Sequence, residues 1–212
     1  MQLSDIREEV KLVVQDVTFT DDIVDSYINE VYFAVAASCL IPDLKGVDAV
    51  DTTLGLAYSS MSGVSNGFSG ILSRVFNSDN RSVQIMHNLE ALIDLRGNLT
   101  DVGDVEAVAL EGSTLWYYPI PEVEETLTVV YYRNPQLLVD DADSPYNIPD
   151  FLHRQILVSG SAAICFSKIE GGVEGLKVVT RAWESDKLSG VMRFREWLGK
   201  NRKHYIVSQE PA

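Results

Sequence analysis

Cations are scarce in this 212-residue sequence: 17 Lys and Arg stand against 31 Asp and Glu, a formal net charge of −14. A chain this acidic lacks the basic stripe that phosphate-backbone binding needs, which argues against nucleic-acid recognition. Two cysteines, Cys39 and Cys165, are too few for a disulfide framework, and their apolar helical surroundings predict buried, reduced thiols. The three histidines, His87, His153 and His204, stand at no metal-ligand spacing with another His, a Cys or paired acids, so no metal is expected. No apolar run approaches the roughly 18 residues of a membrane span. The opening MQLSDIREEV is charged from Asp5 onward, so the expectation is no secretory segment and an aqueous, cytoplasm-like setting.

Catalytic signatures are missing too. Gly63, Gly67 and Gly70 lie in a glycine-rich stretch, but no Gly-Lys-Ser/Thr follows as a phosphate loop requires, so no cofactor is expected. Ser159-Gly160-Ser161 falls inside an apolar helical pattern rather than at a strand-to-helix elbow, and predicts close helix packing. Glu122, Glu124 and Glu125 are paired carboxylates by spacing alone. Acid–base work needs one of them desolvated, and their polar surroundings predict a solvated turn instead. The expectation is a non-enzyme, with no catalytic, cofactor-binding or metal residues.

What the chain does have is apolar content, 46%, over a length that supports one sizeable core or two small sub-domains. Its organising stretch is residues 115–135, LWYYPIPEVEETLTVVYYRNP. Two β-prone aromatic runs flank a polar segment, residues 119–125, that contains both prolines of the turn, which predicts a hairpin. In the second run, alternation puts Leu127, Val129 and Tyr131 on one face and Thr126, Thr128, Val130 and Tyr132 on the other. Neither face is plainly polar, so cover on both sides is expected, from a further layer or another subunit. Trp116, Tyr118, Tyr131 and Tyr132 are the candidate subunit-contact residues. The same aromatics, with Tyr117, could instead offer stacking platforms to a carbohydrate.

Along the chain, Ser4 precedes an amphipathic pattern with Ile6, Val10, Val13 and Val14 on one side, a short first helix. Thr20 predicts the cap of a second, with Asp21 and Asp22 in its first turn, an apolar face of Ile23, Tyr27, Ile28, Val31 and Val35, and a stop at Pro42. Residues 43–70 turn polar and glycine-rich, and predict one strand followed by a long mobile loop that orders on assembly. Residues 71–76 and 82–86 flank a turn-rich connector, a second hairpin. Asn88 predicts the cap of a short helix through Leu89, Leu92, Ile93 and Leu95, stopped by Gly97. Residues 105–110 and 114–118 then meet across Glu111-Gly112, a third hairpin. After Pro149 a helix buried on most sides is expected to about Ile169, broken by Gly171-Gly172. A further helix over residues 173–199 carries Leu176, Val179, Trp183, Phe194 and Trp197 at helical spacing, and Gly190 predicts a kink or a split into two. The chain therefore reads as α+β: N-terminal helices (residues 1–42), an antiparallel β-rich insertion (43–147) holding the mobile Gly/Ser loop, C-terminal helices (148–199) and a C-terminal arm (200–212).

The charge is unevenly spread. Residues 1–147 hold 7 Lys and Arg against 24 Asp and Glu, a net of −17, whereas residues 148–212 hold 10 against 7, a net of +3. Two patterns carry a family resemblance. One is the succession of a proline-bounded turn, a strand ending Tyr131-Tyr132-Arg133-Asn134-Pro135, the acidic loop Asp140-Asp141-Ala142-Asp143, and Ile148-Pro149-Asp150-Phe151-Leu152-His153 leading into a long helix. The other is the helix of residues 19–37 with Ile28-Asn29-Glu30, in which Val31 replaces the usual small residue. From Leu3 to about Trp197 the sequence resembles the head-to-tail adaptor (connector) proteins of tailed bacteriophages.

That resemblance implies a helical bundle formed by the N- and C-terminal helices with the β-rich insertion between them, in a virion structural protein assembled in the host cytoplasm and placed at the head–tail neck. It implies a homo-oligomeric ring, usually of twelve copies, beneath the portal protein, extending the DNA channel and giving tail or neck proteins a docking surface. The basic tail, with Lys200, Arg202, Lys203, His204 and Tyr205, would be the portal-docking arm. The acidic body would let genomic DNA slide past without specific binding, and the ring would close through head-to-tail interfaces. A neck or tail-completion protein is the alternative in the same class.

Overall fold

The computed structural model of the protein describes residues 1–64, 67–96, 99–170 and 177–207, with residues 96 and 201–207 described by backbone alone. In chain order its main elements are α1 (Leu3–Val14), α2 (Asp21–Cys39), β1 (Lys45–Asp51), β2 (Tyr58–Ser60), β3 (Phe68–Phe76), β4 (Ser82–Met86), α3 (Leu89–Arg96), β5 (Ala107–Glu111), β6 (Thr114–Tyr118) and β7 (Thr126–Arg133). They continue with α4 (Asp150–His153), a π turn (Arg154–Val158), α5 (Ser159–Ile169) and α6 (Val178–Val207). Two compact units divide the chain, Met1–Ile41 with Pro135–Ala212, and Pro42–Asn134.

In the helical unit, α4, the π turn and α5 follow one another without a break and bury Leu152, Ile156, Leu157, Val158, Ala162, Ala163 and Cys165. This is the helix expected to be buried on most sides, and α1, α2 and α6 all pack on it. From α1 it receives Leu3, Ile6, Val10 and Val14, spaced along one helical face. The start of α1 falls two residues before the expected Ser4 cap, at Gln2, whose amide donates to the Asp5 carboxylate at 2.9 Å. Thr20 does sit at the N-cap position of α2, and the helix ends where Leu40 turns left-handed, ahead of Pro42.

Two glycines set the helix spacing. A β-carbon at Gly160 would lie 2.6 Å from Val31 Cγ1, so only glycine lets α5 approach α2 this closely, which is the role expected of Ser159-Gly160-Ser161. A β-carbon at Gly190 would lie 2.9 Å from Ile156 Cγ1, so α6 crosses the π turn at its own glycine. The expected split into two helices is absent: α6 is a single 30-residue helix, about 45 Å long. The roughly 1 kcal/mol that glycine costs mid-helix is offset by the contact it permits. Gly171, Gly172 and Leu176 lie outside the described residues.

The sheet unit orders its strands β1-β7-β3-β4-β5-β6-β2. The second and third expected hairpins are present as β3–β4 and β5–β6, and the Asn88 side chain accepts from the Ala91 amide at 2.8 Å as the cap of α3. The first expected hairpin is not. β6 pairs with β5 and β2, whereas β7 pairs with β1 and β3. The segment between them spends its backbone partners elsewhere: the Ile120 amide donates to Asp101 O at 2.8 Å, the Gly103 amide to Ile120 O at 2.9 Å, and the Thr52 amide to Glu125 O at 2.8 Å. It therefore carries the chain from one half of the sheet to the other instead of folding it back. Of the expected mobile loop, residues 59–64 and 67–70 contribute to β2, a short 3₁₀ turn (Met61–Gly63) and the start of β3, while Ser65 and Asn66 lie outside the described residues.

The expected fold class is corrected here. The β region is no antiparallel insertion in a helical bundle but a seven-stranded mixed sheet with its own core, in which β4 and β5 run parallel. Between those two strands lies α3, the kind of helical crossover that parallel pairing requires and that hairpin signals do not reveal. The sheet curls into a half-barrel. At one end its two edge strands meet, the Ser59 hydroxyl donating to Asp51 O at 2.9 Å. Inside lie Val75, Val108, Leu115, Tyr117, Leu127, Val129 and Tyr131, all buried, each worth about 1.5–3 kcal/mol when an aliphatic or aromatic body leaves water. The alternation in β7 is as expected, but its second face is only partly covered: Thr126 and Thr128 are exposed, Val130 is half-buried and Tyr132 buried. Opposite Tyr131 stands Gly46, where a β-carbon would come within 2.7 Å of the phenol ring.

Candidate functional site

In the sheet unit, a groove of about 890 Å³ runs between the turn at residues 77–80 and residues 121–128, with Asp104, Glu122, Glu124 and Glu125 in its lining. Glu122 and Glu124 are exposed, as expected of a solvated turn, and neither has the dry surroundings that acid–base catalysis uses. Glu125 differs. It is half-buried, and its carboxylate accepts from the Ser78 hydroxyl and the Val105 amide, both at 3.2 Å, so it ties three segments together. Among the described residues no three His, Cys, Asp or Glu side chains gather as a metal site requires. Nor, among those residues, is any helix long and apolar enough to cross a membrane. Cys39 and Cys165 are buried and free, as expected, and burial pushes the Cys165 thiol up to about 11.

The four aromatic residues expected at a subunit contact do not form one patch. Trp116 is half-buried, its ring 5.0 Å from that of Tyr58, which is 43% exposed. Tyr118 is buried and donates to the Asp101 carboxylate. Tyr131 is inside the sheet, edge-on to Phe68, with its hydroxyl donating to Asp48 at 2.6 Å. Tyr132 lies under the Lys45 ammonium, 5.5 Å from the ring centre. The first two belong to β6 and the last two to β7, in separate halves of the sheet, and the buried rings of Tyr117, Tyr118 and Tyr131 offer no sugar-stacking face. Of the basic tail, Lys200 is exposed on α6. Residues 201–207 continue that helix, while the side chains of Arg202, Lys203, His204 and Tyr205 lie outside the described residues.

The sequence reading missed a set of polar clamps in the helical unit. Arg7 holds Asp25 through two bonds of 2.7 Å and Asp141 through a third of 2.9 Å. Asp25 first, and then Asp141, raise the guanidinium above its ordinary value against the opposing effect of burial. Asn29 grips the Leu138 backbone from both sides, donating to its carbonyl and accepting from its amide, each at 2.9 Å. The acidic loop is itself pinned, because the Asp143 carboxylate accepts from the Val139 and Asp140 amides, which hold it below the usual carboxylate range. The Asn147 amide donates to the Tyr32 hydroxyl at 2.9 Å, although burial is the larger influence and pushes that phenol up to about 12. The Ile28-Asn29-Glu30 pattern marked the position of Asn29, but its distant partner left no local signal.

The site is thus a helical unit stapled to an acidic loop and joined in the chain to a curled sheet. The sequence profile of the SU10 adaptor protein family matches residues 1–167, and the chain belongs to that family, in agreement with its resemblance to phage head-to-tail adaptors. No curated protein matches the chain.

Proposed function

We propose that this protein assembles in the host cytoplasm as a ring beneath the phage portal, extends the DNA channel at the head–tail neck, and offers tail or neck proteins their docking surface. The family match over residues 1–167 carries the reading. The net of −17 over residues 1–147 supports it, because a channel wall of that sign keeps phosphates from adhering and lets DNA pass without specific contacts. Twelve copies is the ring size the resemblance implies. Lys200, Arg202, Lys203, His204 and Tyr205, at the end of α6, form the portal-docking arm in this reading. Of the aromatic set, Trp116 with its neighbour Tyr58 is the part that reaches the surface and meets another subunit. No catalytic turnover is assigned.

The test is genetic. A phage lacking this chain should accumulate DNA-filled heads without attached tails, and supplying the protein in trans should restore infectious particles. Normal yields of tailed, infectious particles in its absence would contradict the proposal.

A further inference from the structure

A π turn interrupts the helix that α4 and α5 otherwise form, and α6 is fastened to it. The Ser159 amide reaches back five residues to Arg154 O, and the Ser159 hydroxyl donates to the same carbonyl at 3.4 Å. Arg154–Val158 therefore holds one residue more than an α turn would. Such single-turn bulges are rare in helices and gather at functional sites. Opposite it, Asp186, Gly190 and Arg193 stand at i, i+4 and i+7, one stripe of α6.

That stripe fits the turn. The Asp186 carboxylate accepts from the Gln155 amide at 3.2 Å and from the Ser159 hydroxyl at 2.5 Å, and Arg193 donates to the Gln155 side-chain carbonyl at 3.1 Å. Gln155 is thus held at both ends of its amide. Between these hooks, a β-carbon at Gly190 would lie 3.0 Å from Gln155 Cγ and 3.2 Å from its backbone carbonyl carbon, so helix and turn meet backbone to backbone. Directional bonds on both sides of a close approach fix an angle as well as a distance.

Elsewhere α6 is held at its first turn, where the Glu170 carboxylate accepts from the Thr180 hydroxyl at 2.5 Å, and by a bond of 3.3 Å from Arg195 to Ser38 O. Past Leu198, its last buried side chain among the described residues, the helix continues to Val207. Val207 lies 17 residues beyond Gly190. That is about 26 Å along the axis, so a tilt of about 10° at the turn moves the far end by about 4 Å.

We infer that the π turn aims α6, with Gln155 as its positioning residue, so that residues 199–207 meet the portal in one orientation. This aiming role rests on the proposed docking arm and adds how that arm is directed. An arm already held in its bound orientation loses less freedom on docking than a loose one.

The test reads the direction of α6 and portal binding separately, in the full-length chain. Spin labels on Glu8→Cys in α1 and Lys200→Cys in α6, both exposed positions, report the distance between the two helices. Deleting Gln155 should restore an α turn, leave the melting temperature at or above that of the parent, and shift the label distance by about 3 Å or more. The unlabelled deletion variant, sedimented with purified portal rings, should bind about tenfold more weakly or worse. Gln155→Leu keeps the turn and removes both hooks; it should broaden the distance distribution, and it decides the matter if the deletion variant does not fold. An unchanged distance distribution in the variant that folds overturns the inference. So does a displaced α6 that binds portal rings as the parent does. Truncation after Gly199 separates the two readings. If truncation abolishes portal binding while the deletion does not, the aiming role alone fails; if truncation leaves binding intact, or the parent binds no portal rings, the docking arm fails with it.

Discussion

The sheet unit comes from one continuous segment, Pro42–Asn134, whereas the helical unit joins the two ends of the chain, Met1–Ile41 and Pro135–Ala212. Each is held accordingly. The sheet relies on strand ladders, among them β1–β7 and β3–β7, and on a core of fully buried side chains such as Leu127 and Val129. The helical unit adds polar staples between residues far apart in sequence: Arg7 to Asp141 across 134 positions, Asn29 to Leu138 across 109, and Tyr32 to Asn147 across 115. Bringing distant segments together carries a loop-closure cost that grows slowly with length. Directional bonds then fix which residues meet, something an apolar face specifies less sharply.

The largest effect that would sharpen this contrast is expected from Leu127→Ala. The side chain is fully buried in β7, and its truncation should cost about 2–5 kcal/mol. Hydrogen exchange should show the loss first at sheet amides; equal loss at amides of α4–α5 would mean that the two units unfold as one block. Next comes Asn29→Ala, which strips two partners from the backbone of Leu138, a residue only 6% exposed. Leaving such groups unpaired costs about 1–3 kcal/mol, so the denaturant midpoint of the helical unit should fall while the sheet is unaffected.

A smaller loss is expected from Gly160→Ala. The added carbon meets Val31 Cγ1 at 2.6 Å, and overpacking of this kind costs about 1–3 kcal/mol, less the roughly 1 kcal/mol that alanine returns through helix propensity. A stabilised variant would show that α2 can move aside freely.

The smallest effect is one of pH. His153 is fully buried; its ring lies 2.7 Å from Ile148 O, 3.2 Å from the Met1 ammonium and 3.5 Å from the Asp150 carboxylate. Burial, the largest influence, lowers its pKa below 6.5. Below 6.5 the unfolded chain therefore binds more protons than the folded one, so stability present at neutral pH is lost as pH falls toward the folded-state value. Thermal melts from pH 7 to pH 5 should show the helical unit weakening. In His153→Gln that slope should flatten, and an unchanged slope would assign it to other groups.

Much of the local structure was legible in the sequence for physical reasons. The β7 alternation, the Asn88 cap and the glycine at 160 depend on neighbours within a few residues or on plain size. The pairing of β7 with β1 and β3 was not, because nothing near residues 119–125 announces that their amides and carbonyls are committed to Asp101, Gly103 and Thr52. The same reason explains the aromatic set. Trp116 and Tyr131 look adjacent in a hairpin, yet a connector that crosses the sheet places them in separate halves. Asn29 stood out by pattern alone, and its clamp on Leu138 became visible only once residue 138 was brought alongside it.

Assembly on the portal is tested by sedimenting the full-length protein with purified cognate portal rings and measuring the mass of each species alone and of the complex. A stable complex is expected, in which each portal ring carries a whole ring of this chain. Portal rings that sediment bare, beside a chain that remains single, would contradict it.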